Sequence, residues 1–251
     1  MRRVIDVSVY QWTMDYPRIL QEGYEGAFVR IGYTGYGTRR TKNVDGAFHS
    51  HIAGFKSIDM PIGIYYYSIA LTPAEAVKEA EFVLEKLGDL KPDFPIFIDI
   101  EDTHDVTNKL HYPKNQAMVG KDLLADTILA FVQRIEQAGF KSGLYTYYSF
   151  AKSYINMKKI HDAGVAVWMA HYAPKLAYTS GPVVMWQYTS DGLIPGTFTK
   201  AGKPNTVDLN ECYEESWFPK PEIPEIIPDK PRETIWVILW RFLMNLCGGN
   251  R

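Results

Sequence analysis

The stretch Pro95-Ile96-Phe97-Ile98-Asp99-Ile100-Glu101-Asp102 begins as an apolar run and ends in acidic residues. Its isoleucine and phenylalanine residues are typical of strands, so the run predicts a buried β-strand. Because side chains alternate across a strand, Asp99 and Glu101 are expected to share one face. Burial and mutual repulsion would raise the pKa of one carboxyl group enough for it to donate a proton near neutral pH. The alternative interpretation is a solvated strand end with two ordinary surface acids.

Strand patterns recur on both sides of this stretch. Seven further strands are predicted, at residues 4–8, 26–32, 61–67, 142–147, 165–170, 183–188 and 206–210. Helices are predicted at residues 16–21, 44–55, 73–87, 117–137 and 150–155. Eight strands with helices mainly in the first five units favour an α/β fold, an irregular TIM-like (β/α) barrel that is closed and parallel.

Four acids lie on three of the predicted strands: Asp6 on the first, Asp99 and Glu101 on the fourth, and Asp208 on the eighth. In parallel barrels the working residues lie at the C-terminal ends of the strands. Closure makes the eighth strand the neighbour of the first, so Asp208 is expected beside Asp6. The four carboxylates are therefore predicted to ring one mouth of the barrel. The aromatic residues expected to rim that mouth are Tyr65, Tyr66, Tyr67, Trp168, Tyr172, Trp186 and Tyr188.

Carboxyl groups gathered at one mouth have two common uses. A pair of acids flanking a sugar bond is the working part of most glycosidases, and aromatic rings suit sugar stacking. A divalent metal site is the competing use, but no hydrolytic metal motif with histidine is present. We therefore expect neither a metal nor a cofactor, and we predict that His49 and His51 are surface residues. The formal net charge of −2 does not favour a nucleic-acid partner.

At these motifs the sequence resembles the glycoside hydrolase family 25 muramidases, many of which are phage endolysins. The resemblance covers residues 4–213. It rests on Ile5-Asp6-Val7-Ser8, Phe97-Ile98-Asp99-Ile100-Glu101, Trp168 with His171-Tyr172, Trp186-Gln187-Tyr188, and Val207-Asp208-Leu209-Asn210. It implies lysozyme activity on an irregular β/α barrel: cleavage of the β-1,4 bond between N-acetylmuramic acid and N-acetylglucosamine in peptidoglycan.

The resemblance also implies roles for individual residues. Glu101 would be the general acid/base, and Asp99 would stabilise the transition state or orient the substrate N-acetyl group. Asp6 and Asp208 would complete the acidic site. The nucleophile would be either a carboxylate or the acetamido group of the substrate. Substrate contacts are expected from Tyr65, Tyr67, Trp168, Tyr172, Trp186, Gln187 and Tyr188, while Tyr66 stands where the family often has histidine.

Two other functions compete with this interpretation. Chitinase-like barrels also end their fourth strand in an acid pair, but their pattern needs aspartates where this chain has Phe94 and Phe97. A catalytically silent sugar-binding barrel is the second alternative. The presence of all four acids argues against it, because a lectin needs few buried charges.

Both ends of the chain carry further expectations. No apolar secretory segment follows Met1-Arg2-Arg3, so we expect synthesis in the host cytoplasm and action on the cell wall after release, as for a phage or prophage endolysin. Five prolines after a catalytic domain at residues 1–218 predict a linker at 219–232. Residues 233–251 form an apolar tail that is predicted to be helical. It is too short to span a bilayer, so it is expected to self-associate, to contact a membrane surface or to dock on the barrel.

Overall fold

The computed structural model describes residues 1–36, 39–102 and 114–218. The strands are β1 (Arg2–Val7), β2 (Thr13–Met14), β3 (Gly26–Thr34), β4 (Lys42–Val44), β5 (Ile62–Ser68), β6 (Ile96–Ile100), β7 (Ser142–Tyr147), β8 (Ala166–Ala170), β9 (Met185–Gly192), β10 (Thr197–Phe198) and β11 (Val207–Cys212). The helices are α1 (Tyr16–Gln21), α2 (Phe48–Lys56), α3 (Pro73–Leu87), α4 (Lys121–Gln137), α5 (Tyr148–Tyr154) and α6 (Met157–Asp162), with 3₁₀ turns at Gln116–Met118 and Glu215–Trp217.

Eight strands close a barrel in the order β1-β11-β9-β8-β7-β6-β5-β3 and back to β1, with β4 at the outer edge of β3. The predicted α/β barrel is therefore confirmed. The prediction that all eight strands are parallel is wrong, because β11 runs antiparallel to both β1 and β9. The connection from β9 to β11 contains no helix in the structure, whereas a parallel return needs a long crossover that is usually helical.

The helices follow their sequence signals with small shifts. In α3 the Thr72 side chain accepts the backbone N–H of Glu75 (3.3 Å), and Gly88 ends the helix at a φ of 55°. The helix predicted at residues 44–55 begins later, at Phe48, because Lys42–Val44 pair with β3 instead. The backbone there satisfies its hydrogen bonds in a sheet edge rather than in a first helical turn.

Two apolar cores stabilise the barrel. One fills the layer between the strands and the helices, and the other fills the barrel interior with aromatic rings. Phe28 packs on Trp168 (ring centroids 5.0 Å apart) and on Phe97 (5.4 Å). Glycines make room for these rings, since a Cβ on Gly63 would collide with Phe28 and one on Gly143 with Phe97. The interior is therefore solid below the mouth, and the open space lies above these rings.

His51 corrects a prediction made from the sequence. His49 is exposed as expected, but His51 is fully buried on the inner side of α2. Its ring nitrogens lie 3.2 Å from the Ser8 carbonyl oxygen and 3.2 Å from the Tyr16 hydroxyl. His51 therefore joins α2 to the segment after β1 as a structural hydrogen-bonding group.

Residues Met1–Phe218 form one compact unit. The predicted linker at 219–232 and the predicted helical tail at 233–251 lie outside the described residues, as do the expected self-association and membrane contact of the tail. Within the described part of the chain, no helix has the length and apolar character needed to cross a bilayer.

Candidate active site

The four predicted acids meet in one cavity of about 640 Å³ at the barrel mouth. Asp6 lies near the C-terminal end of β1, Asp99 lies on β6, and Glu101 directly follows β6. Asp208 lies opposite Asp6 in the β1–β11 register. Because β11 is antiparallel to its neighbours, its N-terminal end lies at the barrel mouth, where the other strands have their C-terminal ends.

Asp6 and Asp208 form a carboxyl pair across the β1–β11 register, in which Asp6 is buried and Asp208 is half-buried. Asp6 Oδ2 accepts hydrogen bonds from Gln187 Nε2 (2.9 Å) and Asn210 Nδ2 (2.8 Å). Burial raises the pKa of Asp6 to about 6. Burial, then the neighbouring Asp6 charge, raise the pKa of Asp208 to about 9, so the pair keeps a proton to higher pH than isolated carboxyl groups would.

Asp99 and Glu101 form the second carboxyl pair. Asp99 is only 4% exposed, and burial followed by the Glu101 charge raises its pKa well above the ordinary value. Its Oδ1 has no hydrogen-bond partner within residues 1–36, 39–102 and 114–218. Burial, then the charges of Asp6 and Asp102, raise the pKa of Glu101 to about 7. The site therefore holds a carboxyl group that is partly protonated at neutral pH.

Arg30 is a residue of this cavity that the sequence interpretation missed. It lies on β3, lines the cavity, and forms an ion pair with buried Asp45 (2.7 Å). Asp45 also accepts the backbone N–H groups of Val9 (3.1 Å) and Ala47 (2.9 Å), so the guanidinium is held firmly. Its positive charge lowers the pKa of Asp6, Asp99 and Glu101, against the effect of burial. The sequence did contain a signal for Arg30, because it is the single charged residue inside the otherwise apolar run 26–32.

Gln187 organises the polar wall of the cavity. Its Oε1 accepts the hydroxyl groups of Tyr145 (2.9 Å) and Tyr172 (2.8 Å), while its Nε2 donates to Asp6. Tyr145 was not predicted, although it pairs with Asp99 in the β6–β7 register. Among the residues predicted to contact substrate, those that line the cavity are Tyr65, Tyr67, Trp168, Tyr172 and Gln187.

Two aromatic residues have different places from those expected. Trp168 lines the floor of the cavity but is only 1% exposed, and its Nε1 donates to Asn210 Oδ1 (2.8 Å). It therefore supports the carboxyl pair through Asn210 and is not a rim residue. Tyr66 is fully buried on the other face of β5, where its hydroxyl meets Thr34 Oγ1 (2.8 Å).

Trp186 and Tyr188 also correct the sequence interpretation. Gln187 points into the cavity, so strand alternation puts its two neighbours on the opposite face of β9. Trp186 is buried there and donates its Nε1 hydrogen to the His171 carbonyl oxygen (2.8 Å). Tyr188 packs against the core between strands and helices. The prediction that both rings rim the mouth does not hold.

A second cavity of about 500 Å³ adjoins the first. It shares Glu101, Tyr145 and Tyr172 with the acidic cavity. Its remaining lining is Tyr147, Tyr148, Ser149, Ala170 and His171. Glu101 thus lies where an acidic cavity and a mainly aromatic cavity meet. In the described ranges, no group of three His, Cys, Asp or Glu side chains is arranged to hold a metal ion.

Comparison with known proteins agrees with this geometry. Residues 5–197 match the family described as "Glycosyl hydrolases family 25". A Streptococcus phage B30 protein named D-alanyl-L-alanine endopeptidase is 28% identical over 177 residues, which are 69% of this chain but only 36% of that relative. The chain therefore spans little more than a third of that relative's length.

Two solved structures share the fold. The catalytic domain of endolysin ply40 from bacteriophage P40 of Listeria monocytogenes is 25% identical, with a TM-score of 0.62 over 86% of this chain and 95% of that chain. The modular autolysin LytC from Streptococcus pneumoniae, in complex with a synthetic peptidoglycan ligand, is 23% identical. Its TM-score is 0.69 over 83% of this chain and 46% of that one.

Proposed function

Because this chain belongs to the glycosyl hydrolases family 25, we propose that it is a peptidoglycan hydrolase with lysozyme activity. It cleaves the β-1,4 bond between N-acetylmuramic acid and N-acetylglucosamine and acts on the bacterial cell wall as an endolysin. The observation that supports this most is the carboxyl group of Glu101, whose pKa is raised to about 7 among three further acids of one open cavity. A protonated carboxyl group beside charged ones is what glycoside cleavage requires.

Glu101 is the proposed general acid. It gives its proton to the glycosidic oxygen as the bond to the anomeric carbon breaks, and its carboxylate then takes a proton from the water that adds to that carbon. Positive charge develops on the sugar ring in the transition state. Asp99 lines the same cavity, so it is placed to stabilise that charge or to orient the N-acetyl group.

The two adjoining cavities support a path for the glycan. Glu101 lies at their boundary, so a glycan crossing both would present its scissile oxygen to this side chain. The sugar whose anomeric carbon reacts would occupy the acidic cavity, beside Asp6 and Asp99. The leaving sugar would lie against the rings of Tyr148 and Tyr172, which offer apolar faces for stacking.

Product chemistry tests the proposed function. Purified peptidoglycan is incubated with the protein, and the clearing of the suspension and the newly formed chain ends are measured. New reducing ends on N-acetylmuramic acid are expected. New amino groups would instead indicate cleavage of peptide bonds, the activity in the name of the phage relative. Cleavage of chitin would favour the chitinase-like alternative, and binding without products would favour a silent barrel.

Trp186→Phe is expected to lower stability and leave the rate of wall hydrolysis nearly unchanged. The substitution removes the hydrogen bond to the His171 carbonyl oxygen, which costs about 0.5–1.5 kcal/mol in the free energy of unfolding. Thermal unfolding and the initial clearing rate measure the two effects. Tyr172→Phe is the matched opposite, because it removes a hydroxyl from Gln187 inside the cavity and should reduce the rate. A larger loss of rate for Trp186→Phe than for Tyr172→Phe would contradict this prediction and indicate that Trp186 contacts the substrate.

Removing the Arg30 charge is expected to move the alkaline limb of the pH–rate profile to higher pH. Arg30 lowers the pKa of Glu101, so without it the general acid stays protonated further into the alkaline range. The double variant Arg30→Gln/Asp45→Asn avoids leaving buried Asp45 as an unpaired charge. Asp45→Asn alone is the control, since it retains the cation. A limb that moves to lower pH in the double variant would contradict this electrostatic role.

A further inference from the structure

Gln116 lies at the point where the pairing of β5 with β6 ends. The last pair in that register joins Ser68 to Ile100, and Glu101 is the next residue. Beyond it, the backbone N–H of Asp102 donates to Gln116 Oε1 (3.0 Å). Gln116 Nε2 donates to the carbonyl oxygens of Ser68 (3.1 Å) and Ala70 (3.3 Å) on the other chain segment.

The side-chain amide therefore does what a further pair of backbone groups would do in a continuing sheet. It accepts from the segment after β6 and donates to the last residue of β5 and to Ala70 just beyond it, across the gap between the two segments. Gln116 is fully buried, and Ser68, Ala70 and Asp102 are buried with it. Water does not compete for these hydrogen bonds, and losing one would leave buried backbone groups unpaired.

We propose that Gln116 is a positioning residue that fixes the backbone just after Glu101 to the end of β5. Ile100 is held by the last pair of the parallel ladder and Asp102 by the Gln116 amide, so the residue between them has little freedom to rotate. This inference rests on the proposed role of Glu101 as the general acid. Proton donation needs the carboxyl group within hydrogen-bond reach of the glycosidic oxygen, and a small misplacement costs much of the rate.

Gln116→Met tests this role, because methionine keeps the length and volume of the side chain but can form none of the three hydrogen bonds. With soluble peptidoglycan glycan strands as substrate, kcat is expected to fall about tenfold to a hundredfold. KM should stay within about twofold, because the sugar-binding surfaces remain in place. Partial unfolding of the variant would also lower the apparent kcat, because less of the protein would be active. Thermal unfolding measures the stability of the variant and so separates the two effects.

Ser142→Ala is the matched control. Ser142 Oγ donates to the Ile96 carbonyl oxygen (2.8 Å), which is also a buried side-chain hydrogen bond to β6 but lies at the other end of this strand. This variant should lower the melting temperature while kcat is retained. If Gln116→Met does not fold, Gln116→Asn serves in its place, because it keeps the amide but is too short to bridge both segments; its kcat is expected to fall as well.

The outcomes separate this inference from the proposed function. If the wild-type protein cleaves the glycan and the folded Gln116 variant keeps the wild-type kcat, the positioning role is wrong. An equal loss of kcat in Ser142→Ala would also overturn it, because the effect would then be general to β6. If the wild-type protein produces no reducing ends, the proposed function fails and this role of Gln116 fails with it.

Discussion

Glu101→Gln is expected to abolish wall hydrolysis while the barrel stays folded. The amide keeps the shape of the side chain but has no acidic proton, and the loss of general-acid catalysis costs on the order of 10²–10⁴-fold or more in rate. The initial rate of clearing of purified cell walls measures this loss. Glu211→Gln is a matched control, since it makes the same chemical change on β11 next to inward-facing Asn210 and hence on the outward face. Equal clearing rates for Glu101→Gln and the wild type would show that another group supplies the proton.

The same variant should also alter stability in a pH-dependent way. The folded protein raises the Glu101 pKa from an ordinary 4.5 to about 7, so its protonated form is favoured by folding. The wild type therefore loses stability as pH rises from 4.5 to about 7, because the carboxyl group must ionise beside Asp6 and Asp102. Glu101→Gln lacks that titration. Its melting temperature relative to wild type should rise across this interval, and a constant difference would contradict the raised pKa.

Asp99→Asn is expected to be the second most damaging change. Burial raises the pKa of Asp99, but the positive charge that develops on the sugar favours its carboxylate form. Asparagine keeps the shape of the side chain but cannot ionise, so it cannot offer that charge to the oxocarbenium ion. The loss of such electrostatic stabilisation costs about 10²–10³-fold in rate. The clearing assay used for Glu101 measures it, with exposed Asp89→Asn as the control for a charge removed far from the mouth. A rate within about threefold of wild type would be too small for a preorganised charge and would remove Asp99 from the chemistry.

Residual activity of Asp99→Asn carries a second signature. The charged groups around Glu101 are Asp6, Asp99, Asp102, Asp208 and Arg30. The Glu101 charge raises the pKa of Asp99. We predict that an ionised Asp99 raises the pKa of Glu101 in return, because like charges disfavour each other. Removing Asp99 should lower the Glu101 pKa, so the alkaline limb of the pH–rate profile moves to lower pH. An unchanged limb would show that the two groups titrate independently.

The sequence was sufficient where a local period and a closure rule decided the outcome. Alternation in β6 put Asp99 and Glu101 on one face, and both line the same cavity. Barrel closure put the last strand beside the first, and Asp208 lies opposite Asp6. Neither relation depends on strand direction, so both survive the antiparallel course of β11. The roles of these residues in catalysis stay predictions until the variants are measured.

The sequence was insufficient where two faces of a strand carry equally plausible residues. The period of two shows that Trp186 and Tyr188 share a face and that Gln187 takes the other, but it does not say which face is inside. Packing decides this, since the interior already holds Phe28, Phe97 and Trp168, and the mouth needs a polar group that reaches Asp6. The rings of Trp186 and Tyr188 therefore lie on the outer face of β9, and the Gln187 amide lies on its inner face.

By itself, the sequence determined the barrel, the order of its strands and the four acids that meet at one mouth, because these follow from periodicity and connectivity along the chain. Only the tertiary structure decided the electrostatics and the positioning of that site. Arg30 is far from Glu101 in sequence, and Gln116 is separated from Glu101 by an intervening segment of chain. Their effect depends on the distances that folding creates: the charge of Arg30 acts across the cavity, and the amide of Gln116 acts across the gap between β5 and β6.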